Sequence, residues 1–289
     1  MKHGIYYAYW EKEWAADYVP YVEKAAKLGF DILKIGGAAL PEMNGAQLKA
    51  LKNAADEYSI EITTGYGPAP QYDIGNPATR SNALEWYKKM FYGMAQINST
   101  VIGGALYSHW PVDYSQPINK AEDRKYAVEG MQILSLAAEE YGINLNMESL
   151  NRFEGYLINT AEECVEFVKD VSRPNVWVML DTFHMNIEET DIAQAIRSAG
   201  KLLGHFHTGE CNRLVPGKGR MPWREIGEAL RDIGYDKRVV MEPFVNPGGQ
   251  VGQDIKIWRE MIPDTDVASL DKDAADAVIF QRYMLDGKI

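Results

Sequence analysis

The stretch VWVMLDTFHMNIEETDIAQAIRSAGKLLGHFHT (176–208) decides the fold. It opens on an apolar, β-branched run, VWVMLD (176–181), passes a segment of helical spacing at 191–200, and returns to a second apolar run, LLGHFHT (202–208). Strand, helix and strand in that order read as a parallel βαβ unit. Working outward, the same alternation covers the chain. Candidate strands are HGIYYA (3–8), DILKIG (31–36), IEITTG (60–65), TVIGGA (100–105), INLNME (143–148) and RVVMEP (238–243). Helical segments are expected at 14–28, 46–58, 78–96, 120–141, 160–170, 223–233 and 251–262. Eight strands alternating with eight helices fit a closed (β/α)8 TIM barrel, an α/β fold, better than an open doubly wound sheet. An open sheet with a dinucleotide site would carry G-x-G-x-x-G after its first strand, and nothing of that kind follows HGIYYAYW. Residues 1–289 are expected to form one barrel domain, and LDKDAADAVIFQRYMLDGKI (270–289) reads as an extra C-terminal helix packed on the barrel or on a partner.

Composition narrows the function. Hydrophobic residues make up 46% of the 289, enough for a sizeable core. No apolar run reaches the roughly 18 residues of a membrane-spanning helix, so no membrane partner is expected. MKHGIYYAYWEKEW (1–14) has no apolar core and no small-residue cleavage site, and reads as a first strand and not as a signal peptide. The two cysteines, Cys164 and Cys211, lack metal-type spacing and suit free thiols in a reducing cytosol, so a cytoplasmic location is expected. A net charge of −11 disfavours nucleic acid and large anionic substrates but is compatible with a neutral small molecule.

Barrel enzymes take their catalytic groups from the C-terminal ends of strands and the loops that follow. Glu148 closes INLNME, Asp181 closes VWVMLD, His207 nearly closes LLGHFHT, and Glu242 nearly closes RVVMEP. They come from strands five to eight, one per βα unit, and so lie along one arc of the rim. Each ends an apolar run, at the edge of a low-dielectric core where an unpaired carboxylate is costly. Three carboxylates together repel unless a cation lies between them. A divalent ion resolves this, and His207 adds a neutral nitrogen ligand. An oxygen-rich set without thiolate favours Mn²⁺, Co²⁺ or Mg²⁺ over structural zinc. The alternative is a set of unrelated rim residues paired with Arg or Lys.

Other groups gather near that rim. His205 shares a strand face with His207, one pleat deeper, and reads as a hydrogen-bonded core histidine. His184 lies just past Asp181, and Glu154 and Arg152 follow Glu148. Arg213 lies in TGECNRLVPGKGRMPW (208–223), a Gly/Pro-rich basic loop that would suit a phosphate but lacks a P-loop ending. His3 and His109 are weaker candidates. Tyr6, Tyr9, Tyr66, Trp110 and Phe244 are expected at the rim, where aromatic faces suit sugar C–H faces. Such a site points to a metal-dependent isomerase or epimerase, in which the ion stabilises an enediolate while two carboxylates act as base and acid. Metal-dependent hydrolysis and simple binding are the other readings. The five histidines and the charge argue against a multi-metal nuclease.

The chain resembles the ketose 3-epimerases, the xylose-isomerase-like barrels that include D-tagatose and D-psicose (D-allulose) 3-epimerases. MKHGIYYAYWEKEW, KLGFDIL, IGGALYSHWPVDY, LNRFEGYLINTAEE, VMLDTFHMNIEE, GKLLGHFHTGECNRLVPGKGRMPWREIG and VMEPFV carry the resemblance over nearly the whole chain. It implies that Glu148, Asp181, His207 and Glu242 bind the metal, usually Mn²⁺ or Co²⁺. It implies that Glu148 and Glu242 exchange the C3 proton of a ketohexose through a cis-enediolate. Glu154, His184 and Arg213 would hold O1 to O3, Tyr6 and Trp110 would line the pocket, and the protein would be a homodimer or homotetramer. Tyr66-Gly67-Pro68 leans the substrate towards D-psicose and D-fructose, with D-tagatose and D-sorbose also open. An aldose–ketose isomerase of the same superfamily is the alternative. Two positions depart from the family pattern. Lys34 stands where Glu is usual, and either reverses a charge near the site or must pair among the helices. Ser149 stands where an aliphatic residue is usual, facing away from the metal, with a modest stability effect expected.

Overall fold

In the computed structural model, which describes residues 1–287, eight parallel strands are hydrogen-bonded in sequence order into a closed barrel. They are β1 (Lys2–Tyr6), β2 (Ile32–Gly36), β3 (Glu61–Gly65), β4 (Val101–Gly104), β5 (Asn144–Glu148), β6 (Val176–Asp181), β7 (Leu203–Thr208) and β8 (Arg238–Met241). The barrel closes with β1 on β8, Lys2 beside Arg238 and Ile5 beside Met241. The side chains that point outward, among them Ile5, Leu33, Ile35, Leu145, Met147, Leu180, Phe206 and Val239, are buried beneath the helices. Covered on both faces, such strands read as nearly continuous apolar runs. The interior is polar where it meets the ends of the barrel. At the N-terminal end Glu61 pairs with Arg238 and with Lys2, the latter at 2.7 Å. Higher up, Gly204 leaves the space filled by Asn146 and Trp177, with which any Cβ would collide.

Ten helices surround the barrel among the described residues: α1 (Val19–Lys27), α2 (Gly45–Tyr58), α3 (Arg80–Gln96), α4 (Lys120–Glu139), α5 (Ala161–Val171), α6 (Thr182–Glu188), α7 (Ile192–Ala199), α8 (Trp223–Asp232), α9 (Gly249–Ile255) and α10 (Val267–Gln281). Caps explain several starts. Asn44 and Gln47 form a reciprocal capping box on α2, and Thr160, Asp191 and Asp266 cap α5, α7 and α10. The helix expected from residue 14 begins at Val19, where Pro20 suits the first turn. The helix expected at 251–262 stops at Ile255, because Lys256 turns left-handed (φ 66°).

The C-terminal tail supplies what that short helix cannot. Helix α10 reaches α1 through Asp271, which takes Lys24 at 2.8 Å. Arg282 donates to the Gly29 carbonyl at 3.0 Å. The π-turn Arg282–Asp286 packs on α8, where Arg231 donates to the Leu285 carbonyl at 2.8 Å. Asp286 then meets the N-terminal amino group and His3. The expected extra helix is therefore a member of the outer ring, between α8 and α1. The last two residues of that expected segment, 288 and 289, lie outside the described residues. Among the described residues no helix is long and apolar enough to cross a membrane.

Candidate metal centre

The strand ends bring Glu148, Asp181, His207 and Glu242 together, with one candidate ligand atom from each lying within 4.8 Å of the others. His207 Nδ1 stands 3.4 Å from Glu148 Oε1, 3.6 Å from Glu242 Oε1 and 4.0 Å from Asp181 Oδ2. Backbone bonds fix the rim: Glu242 donates its amide to the Thr208 carbonyl at 2.9 Å, and the Tyr107 hydroxyl donates to the Glu148 carbonyl at 2.8 Å. The other carboxylate oxygen of Asp181 caps α6, accepting from the Phe183 amide at 2.8 Å.

Two buried atoms at the centre lack partners, Glu148 Oε1 and His207 Nδ1. Buried polar atoms are nearly always paired. Here an acceptor oxygen and an imidazole nitrogen face each other beside two further carboxylates. Three oxygen donors and one nitrogen converging on a buried point are a donor set that fits a divalent cation such as Mn²⁺, Co²⁺ or Mg²⁺.

Two side-chain cations also border the cluster. Arg213, held left-handed (φ 63°), lies 3.2 Å from Asp181 Oδ2, 3.5 Å from Glu242 Oε2 and 3.7 Å from Glu154 Oε1. Its guanidinium stacks 3.7 Å over the Phe183 ring. Lys34 points into the barrel, with Nζ 2.5 Å from His207 Nε2 and 3.3 Å from Glu242 Oε1. Of the two placements its sequence allowed, the interior one holds. Burial alone would raise the Glu242 carboxyl, but the cationic groups around it, Lys34 and Arg213 among them, outweigh it and hold the group well below the usual carboxylate range. His205 lies one layer deeper, its ring 5.2 Å from that of His207, and burial keeps it neutral.

Above the cluster opens a cavity of about 330 Å³. Glu148 and Glu242 line it, while Asp181 and His207 lie beneath. Tyr6, Trp110, Glu154, His184 and Arg213 all line the same cavity. His184 Nδ1 accepts from the Asn151 amide at 3.1 Å, which leaves its proton on Nε2, 3.9 Å from Asp181 Oδ2. Tyr66 and Phe244 also reach the cavity. Tyr9 does not: Tyr7–Tyr9 form a 3-10 turn that breaks the strand alternation, and the Tyr9 hydroxyl donates outward to the Leu270 carbonyl at 3.2 Å.

The remaining groups fall into place around the centre, and several residues are new. The 208–223 loop is no phosphate cradle. Its donors, the amides of Gly217 and Met221 and the Trp223 indole, converge on the fully buried Glu210 carboxylate at 2.7–3.0 Å. Glu210 also fixes Arg213, whose amide donates to the Glu210 carbonyl at 2.9 Å. Helix α6, which carries His184, was not foreseen. Trp14 lines the cavity, held by an indole bond to Asp254 at 2.8 Å. His109 is tied instead to Asp73 at 2.8 Å, and His3 lies at the opposite end of the barrel on Asp286. Arg152 pairs with Glu188 at 2.8 Å on the surface. Ser149 is buried, one residue on from Glu148, and so on the other face of the strand.

A closed parallel barrel with three carboxylates and an imidazole at the C-terminal rim places this chain among the xylose isomerase-like TIM barrels, whose family model matches residues 22–261. The chain is 51% identical to D-psicose 3-epimerase of Agrobacterium fabrum, over 99% of this chain and 100% of that protein. It is 53% identical to D-psicose 3-epimerase of Ruminiclostridium cellulolyticum, over 99% and 98%. It matches the crystal structure of D-psicose 3-epimerase with D-tagatose from Clostridium cellulolyticum with a TM-score of 0.97 and 53% identity, covering 99% of each chain. A D-psicose 3-epimerase crystallised in the presence of D-fructose matches with the same TM-score at 51% identity, again over 99% of each. Within the barrel superfamily the chain thus belongs to the ketose 3-epimerase family, and it is an isomerase.

Proposed function

We propose that this chain interconverts D-fructose and D-psicose by inverting C3, with D-tagatose and D-sorbose as further substrates. The observation that carries the reading is that Glu148 and Glu242, from β5 and from just beyond β8, both border the cavity. Glu148, Asp181, His207 and Glu242 would hold one divalent ion, Mn²⁺ or Co²⁺, with Mg²⁺ also compatible. When bound, that ion supplies polarisation of the ketose C2 carbonyl and its neighbouring hydroxyl, which acidifies the C3 proton. One of the two glutamates takes that proton, leaving the cis-enediolate of the sugar. The other returns a proton to the opposite face, which inverts the centre. The roles exchange with the direction of reaction.

Arg213, the His184 Nε2–H and Glu154 meet O1 to O3 and fix the ketose in one orientation. Tyr6 and Trp110 cover the apolar face of the sugar and keep water from the carbanionic carbon. The apolar side chains exposed on α3 and α4, Tyr92, Ile133 and Leu136, support assembly as a homodimer or homotetramer. Both cysteines are free, which supports a cytoplasmic location. Residues 1–289 would act as one barrel domain. Incubation of D-fructose with the enzyme and Mn²⁺ in D₂O tests the chemistry. Deuterium at C3 together with D-psicose is expected, and formation of an aldose would instead indicate transfer between C1 and C2.

A further inference from the structure

Lys34 touches the centre at His207 and at one of the three carboxylates, Glu242. Its side chain is 3% exposed, and its Nζ is 2.5 Å from His207 Nε2. Gly65 on the next strand makes the space, since a Cβ there would strike the lysine Cε. The centroid of the Tyr6 ring lies 5.2 Å from Nζ. This is a fitted position for an ammonium group, bonded to a side chain that also faces Glu148 and Glu242.

An ammonium can only donate. Nε2 must therefore accept, and the single proton of the neutral imidazole then sits on Nδ1. That nitrogen faces Glu148 Oε1 at 3.4 Å and Glu242 Oε1 at 3.6 Å. In this arrangement the protein neutralises its own carboxylates: Lys34 and Arg213 bring positive charge, and Nδ1–H is turned towards the cluster without a hydrogen-bond partner. A divalent ion among the carboxylates needs the lone pair of Nδ1 instead. The imidazole proton then lies on Nε2 and points at Lys34, which has no acceptor to offer. An ammonium bonded to Nε2 and ligation through Nδ1 therefore exclude each other.

We propose that Lys34 is an internal counter-cation, which a divalent ion must displace from His207 before it can be held by the four residues. This rests on reading Glu148, Asp181, His207 and Glu242 as a metal centre. The displaced Nζ has somewhere to go, because Lys34 already lines the cavity above. The consequences are weak retention of the ion and a metal-free protein that stays folded on its own charge balance. Removing the ammonium should tighten metal binding and weaken the metal-free state.

The test is Mn²⁺ titration of wild type, Lys34→Gln and Lys34→Met, following free Mn²⁺ by electron paramagnetic resonance, with melting temperatures measured with and without the ion. Both variants should bind Mn²⁺ about 10–100-fold more tightly than wild type, the scale on which groups behind a metal ligand act. Without metal both should melt below wild type, and saturating Mn²⁺ should close that gap. Two neutral replacements of different shape guard against one that fails to fold. Equal or weaker Mn²⁺ binding in both variants overturns the role of Lys34 and leaves the metal centre standing. Absence of binding in wild type and both variants alike overturns the metal centre and this role with it.

Discussion

Replacing Glu210 by Gln tests how the Arg213 loop is built. The Glu210 carboxylate is fully buried and accepts three bonds, from the Gly217 amide and the Trp223 indole on Oε1 and from the Met221 amide on Oε2. Glutamine keeps one acceptor oxygen and puts an NH₂ where the other stood. If its oxygen keeps the two donors, its NH₂ faces the Met221 N–H, donor against donor. One buried N–H is then unpaired, costing about 1–3 kcal/mol, and the two retained bonds lose their charge assistance. Relief from burying a charge offsets part of this. A net loss of about 2–4 kcal/mol follows, or a melting point lower by about 3–7 °C at this chain length. Because Arg213 hangs from the same turn by its amide, the KM for ketose should rise more than kcat falls. Thermal denaturation with steady-state kinetics reads both. An unchanged melting point and KM would refute the claim that Glu210 organises the loop.

Four further outcomes are expected. Burial pushes the Cys164 thiol up to about 12, so iodoacetamide at pH 8 should label the half-buried Cys211 and spare Cys164 until the protein unfolds, as peptide mapping would show. The hydrogen bond to Asp73 raises His109 above its ordinary 6.5 against the opposing effect of burial. A raised group stabilises below its unfolded pKa, and the gain disappears as pH rises through the folded value. The stability gap between wild type and His109→Gln should therefore be largest below pH 6, at about 0.5 kcal/mol, and close by pH 9 in urea titrations. Ser149→Val removes a hydroxyl from a packed layer and should raise stability by about 1 kcal/mol in the same assay. Asp181→Asn should weaken Mn²⁺ binding below that of wild type in a titration followed by electron paramagnetic resonance, because the centre loses a charge beneath the cavity.

The barrel and the four converging residues were legible because each sits at the end of an apolar run, one per repeating unit. Such positions follow from local pattern and from the rule that barrel chemistry sits at strand ends. What stayed hidden depends on contacts between distant segments. The eighth outer position is filled by α10, since Lys256 ends α9 after seven residues. Helix α6 is short and starts on a candidate ligand, so Asp181 is both strand end and cap. Tyr9 faces outward because a 3-10 turn interrupts the alternation that would have kept it with Tyr6. Glu210 looked like an ordinary loop acid, and only the folded loop brings three donors onto it. Lys34 could be flagged as unusual, but its bond to His207 depends on β2 and β7 facing across the barrel.

The most direct test of the proposed two-glutamate mechanism uses D-fructose and D-psicose carrying deuterium at C3, with Glu148→Gln and Glu242→Gln at saturating Mn²⁺. Each variant keeps one carboxylate on one face of the sugar. Neither should interconvert the sugars, and each should wash deuterium out of one epimer only, the two variants choosing opposite epimers. A variant that still inverts C3, or that exchanges both epimers, would contradict the assignment of one glutamate to each face.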